Sequence, residues 1–299
     1  MTASVFWHPS GIKHSAGPGH PESPTRIEAI LAELRSPRAK LDISWHQAEP
    51  APDEWLLAVH SSEYLGRLRD LCSTGGGRLD GDTAGNEHSY QAAVCAAGAT
   101  VAAARSALAG SPAFAAVRPP GHHATGDTAM GFCLINNIVV ASRWALDHGG
   151  IDRVLIIDWD VHHGNGTQAL VERDSRIRYV SLHQWPLYPG TGREEETGVG
   201  NVFNVPRPPG LPRATYVAAL NAAVSRAIDG WEPGLILISA GFDALAGDPL
   251  AGFTLEPDDY ATWASGWRQL GIPLATALEG GYDPDRTAMA AAAHLAALA

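Results

Sequence analysis

Cysteine is scarce in this chain, with only Cys72, Cys95 and Cys133 among 299 residues. Three cannot all pair and no CxxC spacing occurs, which points away from a disulfide framework and toward free thiols in a reducing compartment. Long apolar runs are missing too. No segment approaches the roughly 20 apolar residues that a membrane helix requires. The opening MTASVFWHPSG has no charged segment leading into an apolar one, so no signal peptide is expected. Positive charge is in short supply: 21 Lys and Arg stand against 32 Asp and Glu, a formal net charge of −11. Nucleic-acid phosphates would repel such a chain, whereas a cationic substrate would suit it. The expectation is a cytoplasmic protein with neither a nucleic-acid nor a membrane partner.

What is present is apolar bulk, 45% of the residues, enough for a large core. Short apolar runs at 114–117, 154–158, 179–183, 235–240 and 274–278 read as buried strands. Stretches at 90–108, 135–147, 214–228, 257–270 and 283–298 carry helical periodicity or are rich in alanine. The alternation predicts an α/β fold, a single domain over residues 1–299 whose mostly parallel sheet is flanked by helices on both faces. Residues 184–212, rich in Gly and Pro, are expected to wrap the sheet edge, with Glu194–Glu196 as a solvated loop tip.

The polar residues fall in one register. The five strands run into RPPGHH (118–123), DWDVHHGNGT (158–167), His183, FDALAGDP (242–249) and EGGY (279–282). Open parallel sheets bind ligands at these C-terminal strand ends, and five coincidences imply one shared site. If the strand stays extended, Asp158, Asp160 and His162 point to one face and Trp159, Val161 and His163 to the other. Two ligands from this segment and Asp243 from the next strand end would make a three-ligand catalytic metal site. The bland alternative is that the acids cap a helix at 164–171. His122 and His123 follow a stiff Pro-Pro-Gly turn and could serve as base and acid, with Asp158 and Asn165 available to orient them. Tyr282 reads either as a core anchor or as a hydrogen-bond donor to a polarised carbonyl.

Taken in order, RPPGHH, GFCLINN (131–137), DWDVHHGNGT, YVSLH (179–183), YPGTG (188–192), SAGFDALAGDPLAGF (239–253) and LEGGYD (278–283) resemble the histone deacetylase superfamily, closer to its class II branch. The resemblance begins at HPSGIKHSAGPGHPESPTR (8–26) and covers nearly the whole chain. It implies zinc bound by Asp160, His162 and Asp243, with Asp158 orienting His122 and Asn165 orienting His123. His123 would shuttle the proton and Tyr282 would hold the substrate carbonyl. Phe132 and Tyr188 would wall an acyl-lysine chain, with Gly131, Gly280 and Leu250 lining the site and Asn86 in the loop that meets the substrate backbone. Arg26 would lie near an internal cavity for released acetate. A structural potassium ion is implied at the carbonyls of Asp158, Asp160 and His162 with Ser181 and Leu182.

The function expected is zinc-dependent removal of acetyl or another short acyl group, first from acetyl-lysine in proteins or peptides. The oxygen-rich ligand set also suits ferrous iron. An acetylated polyamine or other small acylated amine is the alternative substrate, with Glu22, Asp82, Glu87 and Asp248 as candidate acids at the rim. Two further rivals are a deacetylase fold that binds without catalysing, and an arginase-like ureohydrolase with two manganese ions. The oligomeric state is left open.

Overall fold

The computed structural model describes residues 2–37, 39 and 41–299. Among these, the strands are β1 (Ala3–Trp7), β2 (Ile43–Gln47), β3 (Gly76–Arg78), β4 (Ala84–Asn86), β5 (Ala113–Ala115), β6 (Val154–Asp158), β7 (Ile177–Gln184), β8 (Val202–Arg207), β9 (Leu235–Ala240) and β10 (Leu274–Leu278). The helices are α1 (Ser10–Lys13), α2 (Pro24–Arg35), α3 (Asp53–Leu57), α4 (Ser62–Ser73), α5 (Ser89–Leu108), α6 (Asn137–His148), α7 (Asn165–Val171), α8 (Arg213–Ile228), α9 (Pro257–Arg268) and α10 (Pro284–Leu298).

Eight strands form one sheet in the order β2-β1-β5-β10-β9-β6-β7-β8. Every neighbouring pair in it is parallel, and β3 and β4 make a separate antiparallel pair. Every residue of β6, β9 and β10 is buried. Helices cover both faces of these strands, which is why they read as unbroken apolar runs rather than alternating ones. On one face α5 and α6 pack together, and α10 packs with both α2 and α9. Trp159, just past β6, stacks on Trp263 and Trp267 of α9 at centroid distances of 5.6 and 5.7 Å. Its ring therefore faces those helices.

Register fixes the site. Asp158 lies level with Ser239 of β9 and Ser181 of β7, and Ala240 lies level with Leu278 of β10. The loops that leave these ends start from one row.

The expected α/β architecture is the observed one, with differences at its margins. The segment expected to wrap the edge instead contributes β8, paired in parallel with β7. Its sequence VFNVPR includes Asn204 and Pro206, and proline is tolerated because the strand is an edge. Glu196 is turned inward and accepts from the Gln168 amide at 2.7 Å, while Glu194 and Glu195 are exposed as expected. Helix α6 starts at Asn137, two residues late, because the Asn136 side chain accepts from the Val139 N–H and caps it.

Candidate active site

The strand ends at Asp158, so side-chain alternation does not govern the residues after it. A ladder of carboxylate–backbone bonds shapes them instead. Asp158 Oδ1 accepts from the Asp160 N–H at 3.1 Å and Asp160 Oδ1 from the His162 N–H at 2.9 Å. Asp243, two residues beyond Gly241 at the end of β9, accepts from the Val161 N–H at 2.8 Å. The acids do not cap the following helix, whose N-cap Gly164 has no side-chain bond. The turn brings Asp160, His162 and Asp243 together with ligand atoms within 4.8 Å of one another, all three buried. His162 Nδ1 is 3.1 Å from Asp160 and 3.0 Å from Asp243.

Gly280, expected to line the substrate site, sits behind these carboxylates. Its N–H donates to Asp160 Oδ2 at 2.8 Å, and a Cβ there would lie 2.2 Å from Asp243 Oδ2. Only glycine lets the β10 loop approach so closely.

The tandem histidines stand beside this cluster with ring centroids 4.0 Å apart. His122 Nδ1 lies 3.1 Å from Asp158 Oδ2, which also accepts from Tyr179 Oη at 2.9 Å. His123 Nδ1 lies 2.8 Å from Asn165 Oδ1. Because an amide oxygen only accepts, His123 carries its proton on Nδ1 and leaves Nε2 as the free base. The electrostatics separate the pair. Burial lowers His123, and the neighbouring His122 and His162 hold it further below its ordinary value. Burial also opposes charge on His122, but Asp160 and Asp158 raise it to about 10. His123 is thus the neutral imidazole and His122 the cationic one.

A cavity of about 220 Å³ opens onto His123. Phe132 and Tyr188 are two of its walls, with His123 and His162 inside, Tyr282 alongside, and Leu187, Leu250 and Asp82 also lining it. Gly131 has φ +54°, and a Cβ on it would lie 2.3 Å from the His123 ring. Phe132 is itself left-handed, at φ +68°, and its N–H donates to Thr83 Oγ1 at 2.9 Å. Tyr282 packs edge-on to Phe132, with centroids 5.8 Å apart, and the Arg26 guanidinium lies 4.9 Å from its ring centre. Burial holds the Tyr282 phenol well above its ordinary value, so the O–H is kept as a donor.

The donor set fits a divalent cation. Burial and the neighbouring Asp160 push Asp243 up to about 7, the behaviour of like charges confined in a low dielectric. A cation between Asp160, Asp243 and His162 would relieve that repulsion, and two carboxylates with one imidazole suit a borderline or hard ion. Asp158 and Ser181 of the expected monovalent site are level across β6 and β7, with Leu182 next.

Several expected residues lie elsewhere. Asn86 does not face the cavity: its Oδ1 accepts from the His88 N–H and Ser89 Oγ, and its Nδ2 donates to the Lys13 carbonyl, so it ties the start of α5 to α1. Glu22 is no rim acid. It is buried against Arg26, Arg118 and His14. Asp248 is also buried and accepts from the N–H groups of Tyr282 and Leu250. Asp82 and Glu87 are exposed, and of these Asp82 lines the cavity. Arg26 is buried and holds the Gly281 and Glu279 carbonyls at 2.5 Å each. Sequence reasoning missed Glu279, although an acid directly after a fully buried strand's run, LATAL, was a signal available in the sequence.

The chain is similar throughout its length to proteins of one family. The family model for the histone deacetylase domain matches residues 20–298. A probable deacetylase of Methanothermobacter thermautotrophicus is 39% identical over 277 residues, covering 89% of this chain and 82% of that protein. A histone deacetylase-like amidohydrolase of Pseudomonas aeruginosa is 38% identical over 303 residues, covering 93% and 79%. A crystal structure of the HDA15 HD domain matches with a TM-score of 0.94 at 35% identity, over 99% of this chain and 88% of that one.

Proposed function

Because the chain belongs to the histone deacetylase family, we propose that it is a zinc-dependent amidohydrolase removing acetyl or another short acyl group from an amine, with acetyl-lysine in proteins or peptides as the first substrate. One observation carries the reading: a three-ligand set reaches, through His162, a cavity that His123 also lines and that aromatic rings wall. Asp160, His162 and Asp243 would hold the zinc, which when bound polarises the acyl carbonyl and acidifies water. A potassium ion at Asp158, Asp160, His162, Ser181 and Leu182 belongs to the same proposal in a structural role.

This chain's residues do the rest. Phe132 and Tyr188 grip the methylene chain and exclude water from it. His123 Nε2 takes a proton from the attacking water as the C–O bond forms, while Asn165 keeps the other nitrogen protonated. The Tyr282 O–H donates to the carbonyl oxygen as negative charge builds there. As the C–N bond breaks, His123 returns the proton to the departing nitrogen, giving a free amine and a carboxylic acid, whose remaining proton passes to the amine so that carboxylate and ammonium leave. His122, paired with Asp158, keeps positive charge beside the reacting centre.

An acylated polyamine is the second reading, and Asp82 in the cavity wall favours it, since a carboxylate there can meet a distal ammonium. Acetyl-lysine and its homologues with one and two fewer methylenes test both readings, in one peptide and as free amines, on the zinc-loaded protein. Each CH₂ lost from the aromatic grip should cost roughly 0.8 kcal/mol, so kcat/KM should fall steeply as the chain shortens. Equal efficiency at every length would remove the grip from the mechanism. Preference for the free amines would move the assignment to polyamines.

A further inference from the structure

Glu279 is the first residue after β10, and it is fully buried. Its side chain spans a gap. Oε2 accepts from the Gly121 N–H at 2.6 Å and from the His122 N–H at 3.1 Å, and Oε1 accepts from Ser239 Oγ at 3.1 Å. Its main chain is tied as well, with N–H to the Ala240 carbonyl at 2.9 Å and its own carbonyl to Arg26 at 2.5 Å. One residue therefore fastens the turn bearing His122 and His123 to β9, and its own backbone leads three residues on to Tyr282.

The carbonyls of the turn are held by its surroundings, Pro119 by the Asn137 amide at 3.2 Å, Gly121 by the Ala124 N–H and His122 by the Thr167 N–H, each at 3.0 Å, but its leading N–H groups have one partner. Gly121 and His122 follow two prolines, which have no N–H, so the first two donors of this segment both go to Glu279. Two N–H groups converging on one buried oxygen fix the direction of the peptide from which both imidazoles project. We infer that Glu279 is a positioning residue: it sets the tandem-histidine turn relative to Asp158, Asn165 and the metal ligands, and does so as a hydrogen-bond acceptor. The inference rests on the amidohydrolase reading for its kinetic consequence, though the hydrogen bonds do not depend on it.

Three substitutions separate an acceptor from other roles. Glu279→Gln keeps an oxygen for the two N–H groups and turns its NH₂ toward Ser239 Oγ, so kcat should stay close to that of the parent. Glu279→Asp is one methylene short, and Glu279→Met fills similar volume with no oxygen. In both, kcat should fall by on the order of 10²-fold, the scale of an ångström-sized misplacement, with KM and zinc content by elemental analysis unchanged. Amide hydrogen exchange at Gly121 and His122 supplies a readout independent of turnover: protected in the parent and the Gln protein, fast in the Met protein. Parent-like kcat in Glu279→Met overturns the inference, as does a Gln protein as slow as the Met protein. A parent protein that cleaves no acylated amine overturns the functional reading instead, and exchange then decides this one.

Discussion

Phe132 holds its ring in the cavity from a backbone conformation that L-residues avoid, φ +68°. Such a conformation costs a non-glycine residue roughly 1 kcal/mol or more, and it persists because the surroundings impose it. Here they are the Thr83 hydroxyl on its N–H and the Met130–Cys133 bridge across the turn. Glycine usually destabilises relative to alanine; at this position the order should reverse. Phe132→Gly should unfold at higher temperature than Phe132→Ala, by the equivalent of about 1 kcal/mol, with both poor in kcat/KM on acetyl-lysine. An alanine protein as stable as the glycine one would mean that the turn carries no strain. Chemistry at this scale was legible where a polar side chain ended an apolar run, as at Asp158, His122 and Asp243. Direction was not legible. Glu22 and Asp248 look like surface acids in a string of letters, and Asn86 like a loop contact. Each points where it does because a distant arginine, backbone N–H or backbone carbonyl lies there.

Between elements, Glu22 works as a joint. It sits just before α2 and binds Arg26 in the first turn of that helix and Arg118 at the head of the tandem-histidine turn. Burial alone would raise its carboxyl, but Arg118 and His14 hold it well below its ordinary value. A carboxyl depressed by folding contributes stability fully above its unfolded pKa, about 4.3, and loses it as pH falls through the folded value. Glu22→Gln leaves buried arginines uncompensated and should cost roughly 3–5 kcal/mol at neutral pH. The difference from the parent in urea unfolding should narrow as pH drops below about 4. A constant difference across that window would deny the carboxylate its part. Legibility of the elements followed burial in most of the sheet. β6, β9 and β10 are covered on both faces and show it, whereas β2 and β8 at the margins were not read as strands, because ISWHQ and VFNVPR mix polar and apolar residues. β1, ASVFW, was not read either, although its first three residues are buried.

Across the whole molecule, the ligand set is assembled from two strand ends, Asp160 and His162 after β6 and Asp243 after β9, so only the folded sheet presents it. A ligand that binds the native state alone stabilises it by mass action, about 4 kcal/mol at a thousandfold excess over Kd. Zinc should therefore raise the Tm of the parent protein and leave that of Asp243→Ala nearly unmoved, with a chelator reversing the gain. An equal rise in both would place the cation elsewhere.

The strand order carries one more consequence, for the chain while it is being made. β9 and β10 stand at the centre of the sheet but come last among its strands. Until they emerge, the molecule is two three-stranded halves, β2-β1-β5 and β6-β7-β8, each ending in an unpaired strand of buried apolar residues. From Asp158 to Leu278 is 120 residues (278 − 158), on the order of ten seconds of synthesis. For that interval two open β-edges offer unpaired backbone groups to any passing chain, so synthesis without chaperones should yield more aggregate than refolding of the finished chain at the same concentration.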